Sequence, residues 1–139
     1  MQLTRFTDYA TRILLYLAVR QGEIVSVAQI ADHYGISRNH LAKVAQELVG
    51  RQYVETIRGR NGGLRLTRDP ASIQLGSIVK DFEPNMSIVD CVGCLIAPVC
   101  GVPQPLAEAT NAFIATLDRY TFADLIRLSP GIDTFFPRK

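Results

Sequence analysis

The segment from Ser26 to Leu66 admits few folds, because helix, turn, helix and hairpin signals follow one another there with almost no slack. Ser26 opens a short helix with Gln29 three residues on, the spacing of a capping box. Val27, Ile30 and Ala31 form its inward face. Tyr34-Gly35-Ile36 makes a tight turn, and Ser37 caps a second helix whose apolar face is Leu41, Val44, Ala45, Leu48 and Val49. Helix, compact turn with glycine, helix is the helix-turn-helix arrangement. Gln52 to Ile57 then reads as a strand, Arg58-Gly59-Arg60-Asn61-Gly62-Gly63 as a loop and Leu64-Arg65-Leu66 as the returning strand, with Asn-Gly as the hairpin signal. A hairpin directly after a helix-turn-helix is a winged helix. The spacing therefore predicts a mainly α fold with a small β-hairpin wing (α+β).

The flanks extend this unit. Thr7 or Asp8 can cap a first helix running to about Arg20, with Ala10, Ile13, Leu14, Leu17 and Ala18 as its stripe. Asp69-Pro70 breaks the chain after the wing. Ile73 and Leu75 lead into a short helix through Ile78, Val79 and Phe82, which Pro84 closes. An irregular loop follows to Pro103. Gln104 to Tyr120 reads as a long helix whose apolar face is too broad for one small domain to cover. It packs back on its own winged helix or also on a partner chain, and the partner is the favoured reading. Thr121 with Asp124 caps one more short helix, and the tail from Ile132 is expected to be loose. The division is a winged helix-turn-helix over 1–83, a loop over 84–103, a dimerisation helix and short C-terminal helix over 104–128, and a tail over 129–139.

Net charge is only +2, but residues 1–80 carry +5 and residues 81–139 carry −3. Seven Lys and Arg against two acids lie between Ser37 and Arg68. A basic field of this kind on a near-neutral protein suits a polyanion on one face. The N-terminal turn of the second helix enters the major groove in a helix-turn-helix, so Ser37, Arg38, Asn39, His40 and Lys43 are the candidates for base edges. Arg58, Arg60 and Asn61 at the hairpin tip suit the minor groove, and Arg51 and Arg65 suit phosphate. The plainer alternative is a solvated helix face and a basic turn. The Gly-rich loop joins two strands instead of opening a helix, which excludes a Walker or dinucleotide motif.

All three cysteines, Cys91, Cys94 and Cys100, fall in the loop. No apolar run approaches the roughly 18–20 residues of a membrane span, and the N-terminus lacks an apolar leader, so a cytoplasmic, reducing setting is expected. There, bunched thiolates favour metal or redox chemistry over a structural disulfide. Iron–sulfur ligation ranks first, with zinc or a reversible Cys91–Cys94 thiol switch as alternatives. Asp90, Asp81, Glu83 or a partner's residue can complete the ligand set. An oxidoreductase using Cys91 and Cys94 lacks the βαβ setting of thioredoxin-like motifs, so we expect no enzyme.

Residues 1–10 (Met-Gln-Leu-Thr-Arg-Phe-Thr-Asp-Tyr-Ala), 34–41 (Tyr-Gly-Ile-Ser-Arg-Asn-His-Leu) and 57–66 (Ile-Arg-Gly-Arg-Asn-Gly-Gly-Leu-Arg-Leu) resemble the IscR/NsrR family of iron–sulfur winged-helix regulators. Ile88-Val89-Asp90-Cys91, Ile96-Ala97-Pro98-Val99-Cys100 and Tyr120-Thr121-Phe122-Ala123-Asp124-Leu125 resemble its nitric-oxide-sensing, NsrR-type branch. The resemblance spans residue 1 to about 126. It implies a homodimer crossed by the long helix, a palindromic double-stranded DNA operator, nitric oxide as effector, and an iron–sulfur cluster, four-iron favoured over two-iron. It also implies that the partner's Asp8 can complete the cluster, with Arg12 one turn along able to pair with it. Two features depart from the family. Only Val92 and Gly93 separate Cys91 from Cys94, and no histidine follows Cys100. These leave open an iron- or redox-sensing regulator of the RirA type.

Overall fold

Thr4 starts the first helix. In the computed structural model, which describes residues 1–136, Thr4 is extended and its side-chain oxygen accepts the Thr7 N–H at 3.4 Å, opening α1 (Arg5–Val19). The sequence places this cap at Thr7 or Asp8. The earlier start has a tertiary cause: the Glu83 carboxylate accepts from Thr7 Oγ1 at 2.7 Å, Thr4 N at 3.1 Å and Thr4 Oγ1 at 3.3 Å. A carboxylate from the far end of the domain thus satisfies the first turn of α1, where unpaired N–H groups favour negative charge. No i, i+3 spacing signals that contact.

The next elements follow the local code. Ser26 and Gln29 close the capping box of α2 (Val27–Tyr34), and Gly35 ends it in the left-handed region at φ 65°. Ser37 caps α3 (Arg38–Gly50). The wing is β1 (Val54–Ile57) paired antiparallel with β2 (Gly63–Leu66), Val54 opposite Leu66 and Thr56 opposite Leu64. Leu64 also exchanges both backbone hydrogen bonds with Val25, at 2.7 and 2.9 Å, so the wing root is tied to the strand-like entry of α2. Gly63 permits this approach: a Cβ there would lie 2.6 Å from the Val25 carbonyl carbon and 2.8 Å from the Ser26 nitrogen.

After the wing come a 3-10 turn (Pro70–Ser72), α4 (Leu75–Phe82), a loop holding a second 3-10 turn (Ala97–Val99), α5 (Pro103–Leu117), α6 (Phe122–Arg127) and α7 (Ile132–Phe135). One core serves most of these. Ile13, Leu14 and Leu17 of α1 are buried with Ile30, Leu41, Leu48, Val54, Ile73 and Ile78, and Phe122 of α6 is fully buried among them. The segment beyond 104 is therefore not a separate body: α6 completes the core of the winged helix, while α5 buries no residue. The tail also differs from expectation. Phe136 is buried against Tyr16 and His33, with ring centroids 4.9 and 4.8 Å away, because the aromatic groove between α1 and α2 offers apolar cover. Positions 137–139 of the predicted tail lie outside the described residues. No helix among the described residues is long and apolar enough to cross a membrane.

Two tyrosines make this fold sensitive to alkali. Tyr53 is buried and donates to Asp81 Oδ2 at 2.6 Å; burial first, then that bond, push its hydroxyl up to about 12. Burial likewise pushes Tyr34 up to about 12. Each holds its proton better folded than unfolded, where the value is about 10. Their stabilisation is therefore complete below pH ~10 and lost as pH rises from there through about 12. Unfolding free energy followed by circular dichroism should fall over that window, and less steeply in Tyr53→Phe. A flat profile across it would contradict the assignment.

Candidate nucleic-acid interface and thiol loop

The exposed start of α3 carries the side chains predicted for base edges. The Ser37 hydroxyl accepts the His40 N–H at 3.5 Å, so Ser37 serves first as a helix cap. Asn39, His40 and Lys43 point to solvent. Arg38 is held: its guanidinium donates to both oxygens of Asp32 on α2, with contacts of 2.8, 3.0 and 3.2 Å. At the wing tip, a turn closed by Gly62 N–H to Gly59 O at 3.1 Å presents Arg58, Arg60 and Asn61, all exposed. Among the described residues Lys43, Arg58 and Arg60 form no ion pair, which leaves three cations on the helix and wing tip without an internal acid.

The two arginines assigned to phosphate are placed differently. Arg51 bonds Glu47 at 2.8 Å, approaches Asp81 at 3.7 Å and lies over the Phe82 ring at 5.4 Å. Arg65 pairs across the hairpin with Glu55 at 2.8 Å. Any phosphate contact from either must compete with those acids. Arg51 and Arg65 brace the root of the wing, and the unpaired cations lie further out.

The thiol loop is a run of tight turns with little attachment to the core. Cys94 N–H reaches Cys91 O at 3.2 Å, Ala97 N–H reaches Cys94 O at 3.2 Å, and Val99 N–H reaches Ile96 O at 3.0 Å. Cys91 and Cys94 are exposed and Cys100 partly so. Val92, Leu95 and Val99 are 92, 98 and 86% exposed, an apolar display that a soluble surface rarely leaves uncovered. Beside the loop, a cavity of 920 Å³ is walled by Ile88, Cys91, Leu106 and Thr110 among others.

Three soft thiol donors on a pliable loop fit a thiolate-bound iron–sulfur group better than a hard-cation site. Among the described residues no group of three His, Cys, Asp or Glu side chains stands close enough to hold a metal ion. The acids considered as a fourth donor are engaged elsewhere, Asp81 by Tyr53 and Arg51, Glu83 by Thr4 and Thr7, and Asp90 by the Val92 N–H at 2.9 Å.

Asp8 sits in the first turn of α1, partly exposed, on the rim of an 810 Å³ cavity between α1, α4 and α5. Arg12 holds it with contacts of 3.0 and 3.1 Å. The hydrogen bond to Asp8 first, and then its charge, hold the Arg12 guanidinium above its ordinary value against the burial that lowers it. The same guanidinium lies 5.5 Å over the Tyr34 ring, whose hydroxyl donates to the Arg12 carbonyl at 3.3 Å. Asp8, Arg12 and Tyr34 thus form a chain of contacts ending one residue before the turn glycine. Sequence reasoning missed Tyr34 and Asp32 as participants, and weighed Glu83 as a cluster ligand and not as the acceptor for Thr4 and Thr7. Only Asp32 left a trace, an acid just across a short turn from Arg38.

Comparison with known proteins places these features. A family model described as "Rrf2: Iron-dependent Transcriptional regulator" matches residues 3–128. The chain is 47% identical over 133 residues to the HTH-type transcriptional regulator NsrR of Bacillus subtilis, covering 91% of each chain. It is 43% identical over 132 residues to the protein of the same name from Bacillus licheniformis, covering 91% of this chain and 92% of that one. Among solved structures, the B. subtilis global cysteine regulator CymR superposes with a TM-score of 0.78 at 24% identity, over 93% of this chain and 98% of that chain, a likeness of fold.

Proposed function

This chain belongs to the Rrf2 family of iron-dependent transcriptional regulators, and from that premise we propose that it is a cytoplasmic, homodimeric repressor that carries an iron–sulfur cluster, senses nitric oxide through it and releases DNA when it is damaged. It is a DNA-binding winged-helix regulator and not an enzyme. The observation that carries the finer reading is the pairing of two surfaces in one small fold. One is a helix and wing tip with uncompensated cations; the other is an apolar, thiol-bearing loop that leads directly into α5.

Cys91, Cys94 and Cys100 would hold the cluster, a four-iron one favoured over a two-iron one. Bound there, it would supply iron open to attack by nitric oxide, and its loss would leave the three thiolates without a common tether. The name borne by the two Bacillus relatives supports this effector. Asp8 is the donor a partner subunit would offer. Arg12 holds Asp8 and also covers Tyr34, so a change in what Asp8 engages would be felt beside the turn of the helix-turn-helix. The bare face of α5 and the exposed apolar residues of the loop supply the surface for a second copy. Two recognition helices then read half-sites about one duplex turn apart, roughly 34 Å. A second reading, a Cys91–Cys94 thiol switch answering redox state, is favoured by the tight turn that brings Cys94 N–H to Cys91 O.

The test uses anaerobically purified protein on promoter duplexes. Visible absorbance, iron and sulfide should accompany specific binding, and nitric oxide should bleach the first and weaken the second by tenfold or more, since roughly 1.4 kcal/mol corresponds to each factor of ten. Arg60→Ala should weaken binding about tenfold at unchanged absorbance, with the slope of affinity on salt reduced by about one. Colourless protein whose binding follows dithiol oxidation would select the thiol switch instead.

A further inference from the structure

The long helix packs against α4 and is tied to the winged helix by a joint at its C-terminal end. Beyond α5, Leu75 N–H reaches Tyr120 O at 2.8 Å and Phe122 N–H reaches Ile73 O at 3.0 Å, so Gln74 and Thr121 form a two-stranded bridge. The Gln74 side-chain amide donates to the Asp118 carbonyl at 2.9 Å. Gln74 is the N-cap residue of α4, yet its side chain makes no capping bond there. The Asp118 carboxylate occupies that end of the helix instead. It lies against Gly76, where a Cβ would overlap the carboxylate and stand 2.9 Å from the Asp118 nitrogen.

One oxygen of Asp118 is buried with no hydrogen-bond partner among the described residues, while the other meets Lys80 Nζ at 3.1 Å. An exposed pair such as Lys80–Asp118 contributes little to stability. A buried, unpartnered carboxylate oxygen is costly, and the compensation on hand is the positive end of α4, next to which Gly76 places it. Evidently close packing at Gly76, rather than the ion pair, keeps Asp118 in place. α5 buries no residue along its length, and among the described residues the hydrogen bonds that tie it to the winged helix lie at this end.

We propose that Asp118 is a positioning residue: seated in the gap that Gly76 leaves at the head of α4, it holds α5 at one angle to the winged helix and so sets the half-site spacing that a dimer of this chain reads. The inference rests on the dimeric DNA-binding reading above.

The experiment selects palindromic half-sites from random duplexes with the anaerobic wild-type protein, then measures affinity on duplexes whose centre is one or two base pairs longer or shorter. Wild type should show one sharp optimum. Gly76→Ala, which expels the carboxylate, and Asp118→Ala, which empties the gap without crowding it, should each reduce the discrimination between optimal and neighbouring spacings about tenfold. A single half-site should be bound almost as well as by wild type. General destabilisation lowers affinity on every duplex alike and leaves the discrimination unchanged. An unchanged discrimination ratio in Asp118→Ala therefore overturns the proposal, whatever happens to overall affinity. Wild-type protein with no preference for paired half-sites overturns the dimeric reading itself, and this inference with it.

Discussion

Cys94→Ala protein, prepared without oxygen, is expected to be colourless, to fold as wild type does, and to bind its operator roughly a hundredfold more weakly, towards the level of nonspecific binding. The three outcomes follow from one placement. Cys94 is exposed in the middle of the loop, and its bonds to Cys91 and Ala97 are made by its backbone, so alanine removes only a sulfur. Substitutions at such sites change stability by about 0.5 kcal/mol or less. Circular dichroism and the melting temperature should therefore stay put while absorbance and affinity fall together. That combination distinguishes loss of a coupling from loss of a fold. Cys94→Ala protein that held the operator as tightly as wild type would sever the loop from the reading heads and leave a constitutive DNA-binding protein. Leu95→Ala is the companion variant. Leu95 is 98% exposed, so the isolated chain loses nothing by it, whereas a dimer that covers the loop should be weakened.

Where structure was local, it was legible in the residues. Ser26 with Gln29 and Thr121 with Asp124 both close the reciprocal caps their spacing announces, the second with Asp124 Oδ2 accepting from Thr121 N at 2.8 Å. The wing register and the turn at Gly35 came from the same short-range chemistry. What escaped was decided by residues distant in sequence. Glu83, next to the proline taken as a boundary, reaches back 76 residues to Thr7 and moves the start of α1. Phe136 finds a groove made by Tyr16 and His33, which no tail composition could reveal. At the candidate site, residue types were readable but their states were not. Lys43, Arg58 and Arg60 form no ion pair among the described residues, whereas Arg38, Arg51 and Arg65 already hold acids, Glu47 one turn back on α3 and the others brought in by α2, α4 and the hairpin. The thiols suggested a centre by spacing alone, and the donor proposed from a second chain is beyond what one sequence can position.

Phe122→Ala should be the most destabilising single change considered, by about 3–5 kcal/mol, and should lower the melting temperature by roughly 10–20 °C. Phe122 is fully buried, and its backbone N–H is committed to Ile73 O at 3.0 Å, so the backbone around it has little freedom to collapse into the space left. The cavity would open between α6 and α1, beside Ile13 and Leu14 of the shared core. Since domains of this size are stable by only about 5–15 kcal/mol, such a loss brings the winged helix near its threshold, although the residue lies some 40 positions beyond the last element of that domain. The alternative is a C-terminal helix that merely rests on a self-sufficient winged helix, in which case Phe122→Ala would melt like wild type and residues 1–83 would fold alone. The two architectures differ in regulation as well as stability. If α6 is a core element, the segment between residues 84 and 121 is a loop and helix fastened to the same body at both ends. Strain applied at the thiols then cannot dissipate in a free terminus and must be taken up between the joint at Asp118 and the first turn of α1.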